Sequence, residues 1–188
     1  MDRIPPGQTQ TKNGKWPVLH TGLVPRVDLA AWDFRTFGHV EQPLRLTWAE
    51  FERLPRTRLA ADFHCVTTWS RLDMDWEGVP FKAIVERTRP RPAAVHVMAH
   101  GDPHYTTNVP LSVLLEEGFL ATHEGGKPLS PEHGFPLRLV VPSRYAWKSA
   151  KWLRALEFMD RDRRGFWEMN GYHNNADPFT EQRFSSQE

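Results

Sequence analysis

The chain has 188 residues, of which 39% are hydrophobic and 25% are charged, with a formal net charge of +1 at pH 7. This size and composition are typical of one globular domain with a substantial core. A nearly neutral chain is not attracted as a whole to nucleic acid or to an anionic membrane surface, and no apolar run is long enough to span a bilayer. We therefore expect neither nucleic acid nor a membrane as a partner.

The first fifteen residues are polar and contain a Pro-Pro-Gly and an Asn-Gly turn sequence. They predict a flexible N-terminal arm over 1–15, followed by one domain over 16–188. The same stretch contains no apolar signal core and no twin-arginine pair, which predicts a cytoplasmic location. A single cysteine in the chain agrees with a reducing compartment.

Hydrophobic periodicity and turn residues predict short strands interleaved with short helices. Thr47 and Glu50 form a capping box at a helix start, and Pro80 and Pro110 each precede a further helical stretch. The segment 151–159 fits a helix and a strand equally well. In chain order we predict strands over 28–37, 43–47, 56–63, 93–99, 119–123 and 137–141, and helices over 48–54, 81–88 and 111–117. Because these elements lack a repeating βαβ pattern, they indicate the α+β class.

Cys65 is the only cysteine and follows the strand predicted over 56–63. Without a disulfide partner, its thiol is a small buried hydrophobic group, a nucleophile or a ligand for a soft metal. A cysteine hydrolase would need a histidine base within reach. His64 would point to the opposite face of a strand, whereas His133 or His173 could serve as that base.

Three histidines, His96, His100 and His104, are spaced four residues apart, as metal ligands on one face of a helix would be. However, the segment has the pattern of a strand, and Gly101 and Pro103 would break a helix. We therefore interpret these histidines as pocket or surface residues, with a zinc site as the alternative.

Basic residues are concentrated near the predicted strand over 137–141, which contains Arg138. This strand precedes Lys148-Ser149-Ala150-Lys151, a segment flanked by tryptophans on both sides. Two lysines and a serine on a tight turn can bind one phosphate group through charge-assisted hydrogen bonds. The alternative is a solvated strand face and turn. Because the chain has no glycine-rich nucleotide fingerprint, the ligand would be a small anion bound in another way.

Several separated motifs, in the same order, resemble the sulfite oxidase family of molybdopterin enzymes. Asp-Phe-His-Cys-Val-Thr-Thr-Trp-Ser (62–70) is similar to the family's molybdenum-ligand segment. Glu-His-Gly-Phe-Pro-Leu-Arg-Leu-Val-Val-Pro (132–142) and Tyr-Ala-Trp-Lys-Ser-Ala-Lys-Trp (145–152) are similar to its pterin-phosphate segment. Further similar motifs are Trp-Glu-Gly-Val (76–79), Gly-Phe-Trp-Glu (165–168) and Gly-Tyr-His-Asn-Asn-Ala-Asp-Pro-Phe (171–179). The resemblance extends over nearly the whole chain and includes the bacterial sulfite-oxidase-like subgroup.

The resemblance implies the sulfite oxidase catalytic-domain fold, which is α+β with mixed β-sheets and short helices. It also implies a molybdenum–molybdopterin cofactor. The sequence departs from the animal sulfite oxidases in having no haem-binding cytochrome b5 domain, so no haem is expected. Cys65 would be the thiolate ligand of molybdenum and the catalytic residue. The implied cofactor-binding residues are His20, His64, Cys65, Tyr105, Thr106, Thr107, Asn108, His133, Arg138, Lys148, Ser149 and Lys151.

The function implied by the resemblance is an oxidoreductase that transfers an oxygen atom to or from a small-molecule substrate. The electrons would be exchanged with a separate carrier protein. Two alternatives belong to other classes: a non-catalytic binding module that retains the fold, and a hydrolase with Cys65 as nucleophile.

Overall fold

Two mixed β-sheets contain most of the regular structure in the computed structural model, which describes residues 2–188. The strands are β1 (Thr9–Gln10), β2 (Asp33–Gly38), β3 (Leu44–Thr47), β4 (Thr57–Cys65), β5 (Trp69–Pro80), β6 (His96–Gly101), β7 (Tyr105–Pro110), β8 (Phe119–Glu124), β9 (Lys127–Pro128), β10 (Arg138–Val140) and β11 (Leu153–Met159). The helices are α1 (Trp48–Glu52), α2 (Phe81–Thr88), α3 (Leu111–Glu117) and α4 (Phe166–Met169), with 3₁₀ turns at Pro131–His133, Ala146–Lys148 and Ser185–Gln187.

The first sheet has the order β1-β5-β8-β10, with β4 paired to β5 and β9 paired to β8. The second sheet has the order β3-β2-β11-β6-β7. Only the β1–β5 and β2–β11 pairs are parallel among these described strands. Side chains from both sheets and from α1 to α3 form the main core, which includes Phe34, Leu139 and Leu156. Val140, one residue on in β10, packs on the other face of the first sheet with Trp76.

Most predicted elements are confirmed, with boundaries shifted by a few residues. The capping box of Thr47 and Glu50 is present at α1. The ambiguous segment 151–159 forms β11, because its backbone pairs with both β2 and β6 in the middle of the second sheet. The predicted α+β class is therefore confirmed.

The largest missed element is β5, a twelve-residue strand. Its sequence contains aspartates and a glycine, which are disfavoured in strands. The structure explains both features. The aspartate carboxylates are paired with arginines, Asp73 with Arg3 and Asp75 with Arg58. A Cβ at Gly78 would lie 2.0 Å from the Leu120 carbonyl oxygen, so the close approach of β8 requires glycine.

The segment predicted as a flexible arm lies on the β4–β5 hairpin where the structure describes it. Thr9 and Gln10 pair with β5 as a parallel strand. The Arg3 guanidinium donates hydrogen bonds to the carboxylates of Asp62 and Asp73. These contacts join Arg3, Thr9 and Gln10 to the hairpin, and Met1 of the predicted arm lies outside the described residues. None of the helices formed by residues 2–188 has the length and hydropathy needed to cross a lipid bilayer.

Candidate functional site

A cavity of about 520 Å³ lies between four segments that are distant in the sequence. Its size is within the range typical of small-molecule and cofactor sites. These segments are the loop before β2, the β6–β7 turn, the segment before β11, and α4 with the residues that follow it. The residues lining it are Leu19, His20, Thr21, Gly22, Asp102, Pro103, His104, Tyr105, Ser149, Ala150, Lys151, Trp152, Phe166, Trp167 and Tyr172.

A second cavity of about 60 Å³ shares Leu19 and Lys151 with the first. Its lining includes Arg138, His133 and Phe63. The two spaces are therefore neighbours. Of the predicted basic residues, Lys151 lines both cavities and Arg138 lines only the smaller one.

Arg138 is a buried cation without an anionic partner. Its side chain is on β10, and the residue is only 3% exposed. Nη1 donates to the His133 carbonyl oxygen (2.9 Å) and Nη2 to that of Ser149 (3.0 Å), whereas Nε has no partner. Burial lowers the pKa of Arg138 to about 9, which leaves the group charged at neutral pH. The guanidinium also lies 5.0–5.5 Å from three aromatic ring centroids, those of Trp16, Phe63 and Trp76.

Lys151 is the second cation of this site. Its Nζ donates to the carbonyl oxygens of Leu19 (2.7 Å) and Glu132 (2.8 Å). Burial and then the charge of Arg138 lower the pKa of Lys151 to about 7. Gly134, at φ +113°, allows this close approach, because a Cβ there would lie 3.2 Å from the Cβ atoms of both Arg138 and Lys151.

Ser149 and His133 complete the surroundings of the two cations. The Ser149 hydroxyl accepts a hydrogen bond from the Val141 backbone N–H (3.0 Å). The His133 ring is hydrogen-bonded to Ser130 Oγ and to the Trp16 carbonyl oxygen, and it stacks on Trp16 at 3.8 Å. Burial lowers the pKa of His133 to about 4, so the imidazole is neutral at pH 7. No carboxylate offsets the charges of Arg138 and Lys151 by a direct ion pair among residues 2–188.

Cys65 is the last residue of β4 and faces Trp69 across the hairpin. A three-residue turn follows, with Thr68 in the left-handed region at φ +70°, as is common in hairpins of this loop length. Alternation places Cys65 on the same strand face as Phe63. Phe63 and Trp69, its neighbours along and across the hairpin, both line the smaller cavity, whereas Cys65 itself lines neither cavity.

The Cys65 thiol is 6% exposed, and its Sγ is hydrogen-bonded with Thr67 Oγ1 at 3.2 Å. Burial raises the pKa of Cys65, whereas the Thr67 hydrogen bond and the charge of Arg183 act in the opposite direction. β4 also packs against the turn Ala146–Lys148, which immediately precedes Ser149. The fold therefore brings the predicted thiolate segment next to the predicted phosphate segment.

The histidines near Cys65 in the sequence do not contact its thiol. His64 lies on the opposite face of β4, where its ring is hydrogen-bonded to Ser70 Oγ (2.8 Å). The Nδ1 atom of His173 accepts hydrogen bonds from backbone N–H groups. Within residues 2–188 no histidine is hydrogen-bonded to Sγ, so the cysteine hydrolase alternative lacks an assembled base.

The zinc alternative also finds no support. His96 lies near Asp162 and His100 near Glu157, in two separate pairs in which both histidines are partly buried. The described part of the chain contains no group of three or more residues able to hold a metal ion among its histidines, cysteines and carboxylates.

Lys148, Thr107 and Asn108 belong to a buried network rather than to the cavity lining. Lys148 Nζ forms an ion pair with Glu168 Oε1 (2.6 Å) and donates to the Asn108 carbonyl oxygen (2.8 Å). Thr107 Oγ1 donates to the same carboxylate oxygen (2.7 Å). The charge of Lys148 is thus already compensated, unlike those of Arg138 and Lys151. Glu168 was not predicted, although it ends the motif Gly-Phe-Trp-Glu at 165–168.

The other predicted residues lie either in the lining of the large cavity or between that lining and the buried network of Lys148. His20 and Tyr105 line the large cavity, and the Tyr105 hydroxyl donates to the Trp147 carbonyl oxygen. Thr106 is half-buried on β7 between them and the network. Three aromatic residues that line the large cavity were missed as site residues: Phe166, Trp167 and Tyr172.

Comparison with known proteins identifies the family. The family described as "Oxidoreductase molybdopterin binding domain" matches residues 20–167. The chain belongs to this oxidoreductase molybdopterin-binding domain family. The match includes Cys65, Arg138, Ser149 and Lys151. The predicted resemblance to sulfite-oxidase-like enzymes and the prediction of an oxidoreductase are therefore confirmed at the level of the family.

Individual relatives of this molybdopterin-binding domain agree with the assignment. The Bacillus subtilis oxidoreductase YuiH is 45% identical over 185 residues, covering 97% of this chain and 92% of that protein. The methionine-sulfoxide reductase catalytic subunit MsrP of Campylobacter jejuni is 27% identical over 170 residues. That alignment covers 78% of this chain and 57% of MsrP, so the chain spans little more than half of that relative.

A solved structure supports the fold of this domain. The sulfane dehydrogenase SoxCD of Paracoccus pantotrophus superposes with a TM-score of 0.68 at 24% sequence identity. The superposition covers 73% of this chain and 40% of the SoxCD chain. The predicted fold of mixed sheets with short helices is thus confirmed.

The side chains of the site fit a phosphorylated cofactor that contains a soft metal. Arg138 and Lys151 supply two uncompensated positive charges, and the buried Nε of Arg138 lacks a hydrogen-bond partner. A phosphate group would satisfy both charges and that N–H through charge-assisted hydrogen bonds. The lone thiol of Cys65 is the type of ligand that a soft metal prefers.

Proposed function

We propose that the protein binds a molybdenum–molybdopterin cofactor and transfers an oxygen atom to or from a small substrate. The observation that carries the proposal is the pair of uncompensated cations, Arg138 and Lys151, beside a cavity of about 520 Å³. A buried cation and a half-buried cation without a carboxylate are costly for an isolated domain, and an anionic ligand offsets that cost.

Cys65 is proposed as the protein ligand of molybdenum. The hairpin turn fixes its backbone, and the hydrogen bond with Thr67 restricts the direction of Sγ. Because the thiol is largely buried, it is protected from competing water and oxidants. A metal would favour its thiolate, since a coordinating thiol is deprotonated outright.

Arg138, Ser149 and Lys151 are proposed to hold the pterin phosphate. Arg138 offers Nε while its two Nη atoms remain anchored on carbonyl oxygens. Lys151 would exchange its carbonyl partners for a phosphate oxygen, which is the stronger acceptor. His20, Tyr105 and His133 are proposed to line the cofactor, whereas Thr107, Asn108 and Lys148 support the cavity wall from behind.

When bound, the molybdenum cofactor supplies a two-electron redox centre at which an oxygen atom can be exchanged with a substrate. The lining of the large cavity combines the charge of Lys151 with the aromatic rings of Phe166, Trp167 and Tyr172. Trp167 and Tyr172 pack on the same cluster as Val66, the residue after Cys65. We therefore propose that the substrate enters beside the rings of Trp167 and Tyr172.

A separate electron carrier is part of the proposal. It is supported by relatives named as subunits of methionine-sulfoxide reductases, MsrP and YedZ1, which implies further components in those systems. A reduced viologen dye can replace an unknown carrier in an assay with small S-oxides or N-oxides. Dye oxidation that depends on both the oxide and the bound metal would support oxygen-atom transfer. Its absence with every oxide, together with no sulfite-dependent reduction of an oxidised acceptor such as ferricyanide, would argue against it.

Metal and pterin analysis tests the proposed cofactor directly. Protein purified from a host that makes molybdopterin is expected to contain about one molybdenum and about one pterin per chain. Molybdenum is measured by elemental analysis, and the released, oxidised pterin by its fluorescence. A known molybdopterin enzyme from the same host is the control for supply. Neither metal nor pterin under those conditions would contradict the proposal and would favour a non-catalytic binding module.

The titration of Lys151 is expected to make cofactor binding weaker and the apoprotein more stable as the pH rises. Its pKa in the folded apoprotein is about 7, below the ordinary lysine value of about 10.4. The unfolded chain therefore binds more protons between these values, and apoprotein stability from this residue rises with pH across that window. A bound anion favours the protonated form, so cofactor retention should decrease above about pH 7.

The measurement is pterin retention after dialysis at about pH 6 and about pH 9, together with apoprotein unfolding at the same values. Lys151→Met should retain less cofactor and lose both pH slopes. Equal retention by the wild-type protein at both pH values would contradict a role for Lys151 in binding an anion.

A further inference from the structure

The turn that carries Cys65 is fixed by hydrogen bonds from both terminal segments of the described chain. Both donating segments lie outside the part matched by the family, residues 20–167. In an isolated hairpin these turn carbonyls would face water, so their partners here are specific features of this fold. The three bonds run from Gln8 Nε2 to Cys65 O (3.0 Å), from Thr9 N to Thr68 O (2.9 Å) and from Arg183 Nη1 to Val66 O (2.6 Å).

Arg183 differs from the other two donors because it also brings a charge. Its side chain is only 13% exposed, and its guanidinium lies 5.1 Å from the ring centroid of Tyr145. Its nearest carboxylate, that of Glu181, is at 3.9 Å and half-exposed, which is a weak ion pair. Most of the positive charge of Arg183 therefore remains uncompensated in a poorly hydrated place, one residue from Cys65.

We propose that Arg183 is a positioning residue for Cys65, which fixes the turn through Val66 O and places a permanent positive charge beside the thiolate. This inference rests on the proposed function, in which Cys65 is the metal ligand. Partners behind a ligand orient it and tune the metal, and their loss typically costs about 10- to 100-fold in metal affinity. A nearby positive charge also favours the reduced metal, because reduction adds negative charge to the centre.

Two substitutions separate the hydrogen bond from the charge. Arg183→Gln keeps a donor for Val66 O and removes the charge, whereas Arg183→Lys keeps the charge and removes the planar fork. Arg3→Gln is the matched control, because Arg3 binds Asp62 and Asp73 on the same hairpin without contacting the Cys65 turn. The readouts are molybdenum and pterin content and the midpoint reduction potential of the metal in the loaded protein.

We expect the potential to fall in Arg183→Gln and to stay near the wild-type value in Arg183→Lys and Arg3→Gln. Metal loss on dialysis should be about 10-fold faster in Arg183→Gln. A wild-type potential in Arg183→Gln would overturn the inference. An equal fall in all three variants would show general loosening of the hairpin and would overturn it as well.

Glu181→Gln provides an independent test should Arg183→Gln fail to fold. It removes the carboxylate that opposes Arg183, at a half-exposed position, so the potential should rise at low ionic strength. An unchanged or lower potential would overturn the inference. Failure of the proposed function is recognised separately, because wild-type protein would then contain no metal, or Cys65→Ser would retain it with an unchanged potential.

Discussion

Cys65→Ser is expected to fold like the wild-type protein and to lose more than about 100-fold of its cofactor-dependent turnover. Substitution of partners behind a metal ligand already costs about 10- to 100-fold, and this change replaces the ligand itself with a hard hydroxyl. The fold should tolerate it, because serine is nearly isosteric and can keep the hydrogen bond between the Cys65 side chain and Thr67 Oγ1. Turnover is measured by dye oxidation, and folding by circular dichroism and thermal unfolding.

Thr67→Val is the matched control for this substitution. It removes the hydroxyl at 3.2 Å from Sγ but leaves the thiolate in place, so turnover should decrease by about 10-fold at most. Two results would contradict the assignment of Cys65. The first is turnover of Cys65→Ser close to that of the wild-type protein. The second is a loss of turnover that is matched by a loss of folded structure.

The sequence predicts the parts of the site that lie in short continuous segments. Cys65 is recognised from residues 62–70, and Arg138, Ser149 and Lys151 from segments within about fifteen residues of one another. Helix starts are likewise local, since the capping box of α1 depends on two residues three apart. These features need no knowledge of which strands pair.

Features that depend on distant pairing could not be predicted in this way. Strand β5 contains two aspartates that become acceptable only because Arg3 and Arg58 lie beside them in the fold. Lys148 and Lys151 look equivalent in the sequence, yet Lys148 is neutralised by Glu168 whereas Lys151 has only carbonyl partners. The distinction between a structural and a ligand-binding lysine is thus made by a residue twenty positions away.

The same reasoning explains why a basic segment alone is weak evidence for a phosphate site. A basic residue in a sequence indicates an anion site only once the fold shows that no carboxylate of the protein neutralises its charge. Arg56 and Arg154 are also partly buried, but both contact carboxylates, Glu77 and Asp33 respectively. Arg138 is more deeply buried and contacts no carboxylate. This difference separates an arginine that stabilises the domain through an ion pair from one that can bind an anionic ligand.

Arg138→Met is expected to abolish most cofactor binding while changing the stability of the apoprotein little. Loss of charge-assisted hydrogen bonds to a phosphate should weaken binding by about 100-fold. Ligand-linked stabilisation would then fall by about 2.7 kcal/mol, which corresponds to a loss of about 5–10 °C in the Tm of the loaded protein. In the apoprotein, removal of an uncompensated buried charge is favourable, and it offsets the cost of leaving two carbonyl groups without their donor.

The decisive quantity is the difference in Tm between loaded and apo protein, compared among wild type, Arg138→Met and a control. Arg56→Met is a suitable control, because Arg56 binds Glu77 and Thr122 and lines neither cavity. Its loss should lower both Tm values equally and leave their difference unchanged. If Arg138→Met retained the full pterin content and the full difference, the phosphate would lie elsewhere. A large loss of Tm in the Arg138→Met apoprotein would instead mean that Arg138 stabilises the core, and its missing carboxylate would need another explanation.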